Sequence, residues 1–581
     1  VALAVQFPLV VLATSGLREL ASSPAALFAS LSLGAFVATL SERRLVRAIL
    51  AVILGLAIVT QLVALRLYHA PIDLQVARAA RRASADVIAA MRGSATWLAL
   101  GAVVGVALEY GLLSLSHRAR SRHDRPLFAG AFVAAVALGP GLDASGPDLR
   151  LASALRAFAE PVPPRAPGSP SLPLLPTARS RVPSVLWIIT ESVRASDYAS
   201  DAESAPETCP EVAALFPDRI GLRELRATSS YTTISVAAMT TGRAQLGTKS
   251  EIAGAPNLFD LAKSVRVEGR APWVAYYSAQ SVTGVFEREN IRDACDRFVG
   301  LEDLEATCRP GPSEPCTRDT LDRRIVDLFV REIEHAPDHA VVVLHLYDTH
   351  VPYAFDDARA KFRPFSREVS WESLDSLHAA YENAILAQDA EIARAAKAFV
   401  ASRGRAPWVV LFTSDHGEAF GEHHAIHHGQ NLYDEQIHVP GFVAASAGAL
   451  ERTELEALAV RAAGPTSHSD LLPTVLDVLG VWSSPALGRE RAAMLGSSLL
   501  GHERPRRAVP MTSCNASYPC PLDTWGMLGE THALVGQSWD KGFRCVKLDD
   551  AATPADDPEC ASLRAESKRY FATMPGGVPN L

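Results

Sequence analysis

Ser414-Asp415-His416-Gly417-Glu418 is followed by Gly421-Glu422-His423-His424 and then by His427-His428-Gly429. The segment comes directly after the apolar run Trp408-Val409-Val410-Leu411-Phe412, so carboxylates and imidazoles crowd the end of an expected strand and its loop. In an open α/β sheet, ligands bind just outside the carboxyl ends of the strands. Asp and His gathered there are ligands for a divalent metal ion. The chemistry to expect is that of a metalloenzyme.

Further polar clusters follow expected strands or open expected helices. Glu191 closes the run Val185–Thr190 and begins Glu191-Ser192-Val193-Arg194. Ser230-Tyr231-Thr232-Thr233-Ile234-Ser235 leads into the apolar Val236–Met239 and closes at Thr241-Gly242-Arg243. Asp348-Thr349-His350-Val351-Pro352-Tyr353 follows Val341–Tyr347. Each has an ordinary explanation taken singly. A Ser or Thr before an apolar run is usually a helix N-cap, a Glu at a strand end is usually solvated, and a His after a strand is usually structural. Their recurrence at strand ends is what suggests a site.

The elements that must position these residues read as strands Val185–Thr190, Trp273–Tyr277, Val341–Tyr347 and Trp408–Thr413, alternating with helices over 319–335, 373–402 and 469–479. That alternation predicts an α/β sandwich with helices on both faces of the sheet. Residues 505–581, with four cysteines and many turn residues, read as a small appended subdomain.

The 581-residue chain has room for several domains. Its net charge of -8 gives no reason to expect nucleic acid as a partner. The first residue is not Met, which reads as a processed or trimmed start. Residues 1–143 are rich in Ala, Val and Leu, with apolar segments at 1–15, 24–40, 48–68, 95–115 and 127–143. A bilayer span takes about 20 residues, so a helical membrane domain of about five spans is expected over 1–143. Arg43, Arg44 and Arg47 in one short loop, and Arg118, Arg120, Arg122 and Arg125 in another, place both loops in the cytoplasm. Everything after residue 143 then lies outside. Between the third and fourth segments, Ile72, Val76, Ala79, Ala83, Val87 and Met91 recur at helical spacing beside Arg78, Arg81, Arg82 and Arg92. This predicts an amphipathic helix near 70–92, lying on the membrane surface or presenting a solvated face. Residues 144–181 form a Pro-rich linker ahead of a catalytic domain over 182–504. All eight cysteines fall after residue 143, which fits disulfides in an oxidising compartment, with Cys308/Cys316 and Cys514/Cys520 as the close pairs.

The order and spacing of the clusters resemble the sulfatase-like branch of the alkaline phosphatase superfamily. The resemblance rests on Ile-Ile-Thr-Glu191-Ser-Val-Arg194, Thr232-x-x-Ser235, Asp348-x-His350-x-Pro-Tyr353 and Ser-Asp415-His416-Gly-Glu. It continues through His428-Gly429-x-x-Leu432-Tyr433-Asp434-Glu435 to Asp470-Leu-Leu-Pro473-Thr474. It implies an α/β/α sandwich around a mixed sheet. It also implies a metal held by Glu191, Thr232, Asp415 and His416, with Thr232 as nucleophile. His350 and His428 match residues that contact the substrate anion, the leaving group or a second metal, and Arg194 and Ser235 belong to the same substrate-facing motifs. Carboxylate, hydroxyl and imidazole donors suit zinc or manganese first, with calcium and magnesium as alternatives.

One departure bears on the reaction. Sulfatases carry Cys or Ser in a Cys/Ser-x-Pro-x-Arg signature and convert it to formylglycine. Here Thr232 stands at that position, Ile234 where Pro would be and Val236 where Arg would be. Thr cannot give the aldehyde, and Thr233 is the alternative nucleophile. The Thr, the Glu191 and the membrane segments are similar to phosphoethanolamine transferases and lipoteichoic acid synthases. The resemblance therefore implies a multi-pass protein of the bacterial inner membrane with its catalytic domain on the periplasmic or extracellular side. It would move phosphoethanolamine or phosphoglycerol from a phospholipid donor to a cell-envelope glycan or lipid. A hydrolase of phosphate or sulfuric esters and a non-catalytic anion-binding scaffold are the other readings.

Overall fold

In the computed structural model the described residues are 43–68, 95–118, 126, 129–130, 173–176 and 182–571, without 202–206, 245–251, 253–254, 281–288, 308–320, 502–507, 514–523, 538–542, 549 and 555–556. Two compact units divide the chain between Pro161 and Val162, with residues 368–372 assigned to the first.

The first unit contributes helices α1 (Arg44–Tyr68) and α2 (Ala95–Arg118). Their residues are apolar almost throughout, and Ile53, Leu100, Val103 and Leu108 face outward and exposed. Residues Arg44–Leu62 of α1 are long and apolar enough to cross a bilayer; the apolar part of α2, Leu98–Ser114, is shorter. The pair meets through glycines. A Cβ on Gly55 would lie 2.7 Å from the Val106 backbone nitrogen, and one on Gly105 would lie 3.1 Å from the Gly55 oxygen. Such small-residue contacts let apolar helices associate where burial from water offers little drive. Arg47 Nη1 donates to Ser114 Oγ across the pair at 3.2 Å. The expected segments at 1–15 and 24–40, all but residues 129–130 of that at 127–143, and the amphipathic helix near 70–92 lie outside the described residues.

The second unit is built on a seven-stranded mixed sheet. Its strands are β1 (Ser184–Thr190), β2 (Ile220–Gly221), β3 (Trp273–Ser278), β4 (Arg297–Val299), β5 (Ala340–His345), β6 (Trp408–Ser414) and β7 (Gly441–Ala445), in the order β2-β7-β6-β1-β5-β3-β4. The central strands run parallel, with Trp187 opposite Val343 on one side and Leu411 on the other. At one edge β7 turns antiparallel to β6, and β2 to β7. All seven residues of β1 are buried. Its continuous run Val185-Leu186-Trp187-Ile188-Ile189 is what a strand covered on both faces requires. Trp187, Val343 and Leu411 share one buried cluster with Met239, Leu258, Leu472 and Val475. These come from α3 (Thr232–Thr241), α4 (Leu258–Ser264) and α7 (Leu471–Val478). Helices α5 (Leu321–Ile333) and α6 (Leu374–Arg403) cover the opposite face, where Phe329 meets Tyr277 edge-on with ring centroids 5.4 Å apart.

Residues 505–581 hold a second, antiparallel sheet of β8 (Val509–Ser513), β9 (Thr524–Leu528), β10 (His532–Gln537), β11 (Arg544–Lys547) and β12 (Asp550–Pro554), followed by α8 (Pro558–Phe571). Cys545 on β11 is disulfide-bonded to Cys560 on α8. The pairs Cys308/Cys316 and Cys514/Cys520 lie outside the described residues.

Candidate active site and metal centre

Adjacent parallel strands deliver the site. Glu191 follows the last residue of β1, and Asp415 and His416 follow the last residue of β6, its neighbour in the sheet. His350 lies in the turn beyond β5, and Thr232 is the first residue of α3. Gly417 is required by the tight turn after the ligands: a Cβ there would lie 2.4 Å from the Glu435 carbonyl oxygen.

The structure brings Glu191, Thr232, Asp415 and His416 together. Thr232 Oγ1 lies 3.0 and 3.2 Å from the Glu191 carboxylate oxygens and 3.1 Å from His416 Nε2. His416 Nε2 is 3.3 Å from both Glu191 Oε1 and Asp415 Oδ2. His416 Nδ1 faces the Gly417 carbonyl oxygen at 2.9 Å, so Nδ1 carries the proton and Nε2 turns a lone pair into the cluster. Asp415 Oδ1 accepts from the Ser192 and His416 backbone N–H groups at 3.0 and 2.8 Å. Its Oδ2, also buried, accepts no hydrogen bond from the described residues. A buried carboxylate oxygen without a donor is costly, and here it shares one small volume with another carboxylate, a hydroxyl and an imidazole lone pair.

The electrostatics say the same. Burial and the charge of Glu191 push Asp415 up to about 7. Burial opposes protonation of His416, yet Asp415 and Glu191 together raise it to about 9. Burial also works against the Glu191 charge, but His416, His350 and His428 outweigh it and hold that carboxyl well below its usual range. The two carboxylates draw a proton onto His416 Nε2, the same lone pair that a divalent ion would take, so the composition is that of a candidate cation site. Glu191, Asp415 and His416 offer ligand atoms that lie within 4.8 Å of one another. The donor set therefore fits a divalent ion.

His350 and His428 form the partly buried rim. Their rings are 5.1 Å apart, and the His428 ring lies 4.3 Å from that of His416. Together with Glu191 they make a second set of closely spaced ligand atoms. His428 Nδ1 lies 3.3 Å from Glu418 Oε2 and 3.3 Å from Ser192 Oγ. A proton on Nδ1 leaves Nε2 as a base. Burial, with the charge of His416, pushes His428 down to about 4. Glu418 is wholly buried, but His428 and His427 keep its carboxyl below the usual range.

Arg194 and Ser235 point elsewhere. The Arg194 guanidinium pairs with Asp197 and with Glu422 Oε1 at 2.8 Å, lies 3.0 Å from His378 Nε2 and sits over the Phe420 ring. Ser235 is fully buried behind Asp415; its hydroxyl donates to the Asp415 carbonyl oxygen and lies 3.1 Å from His468 Nδ1. Gln280 and Glu418 were not singled out from sequence. Gln280 Nε2 donates to Glu191 Oε2. It follows β3 by two residues, so the strand-end rule that found Glu191 could have found it.

A seven-stranded α/β/α sandwich with a metal-type site at its strand ends defines a member of the alkaline phosphatase superfamily. A family model described as Sulfatase matches residues 183–481, about half of the chain, and the chain belongs to that family. It is 30% identical over 119 residues to an uncharacterized sulfatase, YidJ, of Escherichia coli, covering 20% of each chain. It is 26% identical over 205 residues to the phosphoethanolamine transferase EptA of Salmonella typhimurium, covering 33% of this chain and 36% of that one. The matched regions thus span about a third or less of these relatives' own lengths. The integral membrane lipooligosaccharide phosphoethanolamine transferase A of Neisseria meningitidis shares the fold, with a TM-score of 0.55 and 17% identity over 83% of this chain and 94% of the other.

Proposed function

We propose that the protein is a membrane-anchored, metal-dependent phosphotransferase that uses Thr232 as its nucleophile. The observation that carries the proposal is the place of the Thr232 hydroxyl, within 3.2 Å of both Glu191 oxygens and of His416 Nε2 at the start of α3. A Thr hydroxyl is a weak nucleophile until a base or metal activates it. Glu191, Thr232, Asp415 and His416 would hold a divalent ion, with zinc or manganese suited to these donors, and its charge would lower the hydroxyl pKa and polarise the phosphoryl oxygens. Free N–H groups at a helix N-terminus add attraction for the anion.

In the first half-reaction the Thr232 oxygen bonds to the phosphorus of a phospholipid headgroup and the bond from phosphorus to the diacylglycerol oxygen breaks. The Thr232 proton passes to a rim imidazole, which delivers it to the departing oxygen. In the second, the hydroxyl of a cell-envelope glycan or lipid gives its proton to a rim imidazole and bonds to phosphorus, and the Thr232 oxygen leaves and takes that proton back. His350 and His428 fill these proton roles; Arg194 and Ser235 hold the loops that carry the site. The donor headgroup is phosphoethanolamine or phosphoglycerol, and the apolar α1 and α2 keep the enzyme at the bacterial inner membrane beside its donor, with the catalytic unit on the outer side. The similarity to EptA supports the first headgroup.

A second reading, hydrolysis of phosphate or sulfuric esters, is supported by the similarity to YidJ and by a neutral His428, which serves water as well as an alcohol. Vesicles of phosphatidylethanolamine or phosphatidylglycerol separate the two. Metal-dependent release of diacylglycerol that vanishes in Thr232→Ala supports transfer. Turnover of aryl sulfates that survives Thr232→Ala would sink it.

A further inference from the structure

The C-terminal sheet is joined to the active site by buried hydroxyl groups at the end of β8. Ser230 N–H donates to Ser513 Oγ at 3.0 Å, and the two hydroxyl oxygens are 2.5 Å apart. Ser230 Oγ also donates to the Asn431 carbonyl oxygen at 2.6 Å. Counting protons fixes the direction of every bond. The Ser230 hydroxyl proton is committed to Asn431, so the Ser513 hydroxyl must donate to Ser230. The Ser513 oxygen is then free to accept the Ser230 N–H. The chain of donors runs from Ser230 N–H to Ser513, from Ser513 back to Ser230, and on to Asn431.

This chain joins the segment that ends at Thr232 to the loop that begins at His428. It does not act alone. Thr512 N–H donates to the Thr228 carbonyl oxygen at 3.1 Å, and the Thr524 hydroxyl on β9 donates to the Gln430 carbonyl oxygen at 3.3 Å. A Cβ on Gly429 would sit 3.5 Å from the Tyr231 ring, so the two loops also touch directly. Ser230, Asn431, Ser513 and Thr524 are all buried, where no water replaces a lost partner.

We infer that the C-terminal sheet is a clamp that sets the Thr232 segment against the His428 loop, and that Ser513 is its principal positioning residue. The inference rests on reading Thr232 and His428 as partners in one reaction. Ser513 touches neither the substrate nor the ligands; it acts through Ser230 and Asn431. Errors of about 1 Å in the placement of reacting groups cost on the order of 10²-fold in rate, so loosening the clamp should lower turnover while leaving the metal ligands in place.

The test is hydrogen exchange read by mass spectrometry on the full chain in detergent, comparing the parent with Ser513→Ala. Peptides covering 228–235 and 428–433 should both exchange at least about tenfold faster, while a peptide from β5 keeps its parental rate. Turnover of bis(p-nitrophenyl) phosphate should fall about tenfold or more through kcat, with KM and bound metal within about twofold. Ser513→Thr, which keeps the hydroxyl, should restore both readouts. Should Ser513→Ala fail to fold, Thr524→Val serves: it should speed exchange in 428–433 and leave 228–235 as it was. Parental exchange in both loops, or faster exchange confined to the C-terminal sheet, would overturn the clamp. Coupled loosening of both loops in a protein whose parent turns over no phosphodiester would uphold the clamp and defeat the proposed reaction instead.

Discussion

Two groups of buried acids lie in the catalytic unit, and they differ in who satisfies them. Asp322 and Asp389 are fully served by the chain. Asp322 Oδ1 accepts the Tyr347 N–H at 2.7 Å, and its Oδ2 accepts the Asp348 N–H at 3.0 Å and Gln388 Nε2 at 2.7 Å. Asp389 accepts the Tyr198 hydroxyl at 3.1 Å and the Glu211 N–H at 2.7 Å. Burial pushes these acids up to about 6 and about 7 respectively, with no imidazole or guanidinium among the hydrogen-bond donors. Glu191 and Asp415 are equally buried, but they face His416, the Thr232 hydroxyl and each other, and one Asp415 oxygen accepts nothing from the described residues. Burial alone does not mark a site. A buried acid that the backbone satisfies fastens loops; one left open toward other ligand atoms is a candidate for cation binding.

The contrast predicts opposite consequences for similar substitutions. The largest effect belongs to the open group. Thr232→Ala and Asp415→Ala should each cut metal-dependent turnover by on the order of 10³-fold or more. Asp415→Ala should also release bound metal, read by elemental analysis. An Asp415→Ala protein that keeps its metal would erase the distinction between the groups.

His428→Ala should follow, with a loss of roughly 10²-fold at unchanged metal content, as expected for one proton-transfer group. Next comes the satisfied group. Asp322→Ala strands the Tyr347 and Asp348 N–H groups and should cost about 2–3 kcal/mol of stability, seen as a lower denaturation midpoint with metal affinity intact. Smallest is a pH effect at Asp389. Its folded pKa of about 7 lies above the ordinary carboxylate value, so the folded state holds the proton more tightly than the unfolded one. The stability this provides is complete below about pH 4 and is lost as pH rises through about 7. Asp389→Asn should therefore narrow the difference in melting temperature between pH 5 and pH 8. An unchanged difference would mean that Asp389 is ionised in the fold.

Much of this was legible in the sequence because strand ends are legible. Val185–Thr190, Trp273–Tyr277, Val341–Tyr347 and Trp408–Thr413 match β1, β3, β5 and β6 within two residues, and the polar residues just beyond them converge as the α/β rule requires. Edge strands β2 and β4, of two and three residues, are too short to leave a periodic signal. The direction of a side chain is also absent from the sequence. Ser235 has the type of a substrate ligand, but one helical turn places it behind Asp415 rather than in front. The disulfide between Cys545 and Cys560 joins residues 15 apart, whose Cα atoms come within 5.8 Å only when α8 packs on the sheet. Proximity along the chain pointed to other pairs. The C-terminal region read as an appendage because nothing in Val509–Ser513 announces that its last hydroxyl will meet Ser230.

The account turns on a covalent phosphoryl group at Thr232, which intact-mass and peptide mass spectrometry of the metal-loaded protein would read directly after incubation with phosphatidylethanolamine vesicles and no acceptor. An adduct of phosphoethanolamine mass is expected on the peptide that contains Thr232, absent from Thr232→Ala and discharged when an acceptor is added. With phosphatidylglycerol, a phosphoglycerol adduct at the same residue would serve equally. Diacylglycerol release without any adduct on Thr232, or an adduct carried by Thr233, would contradict it.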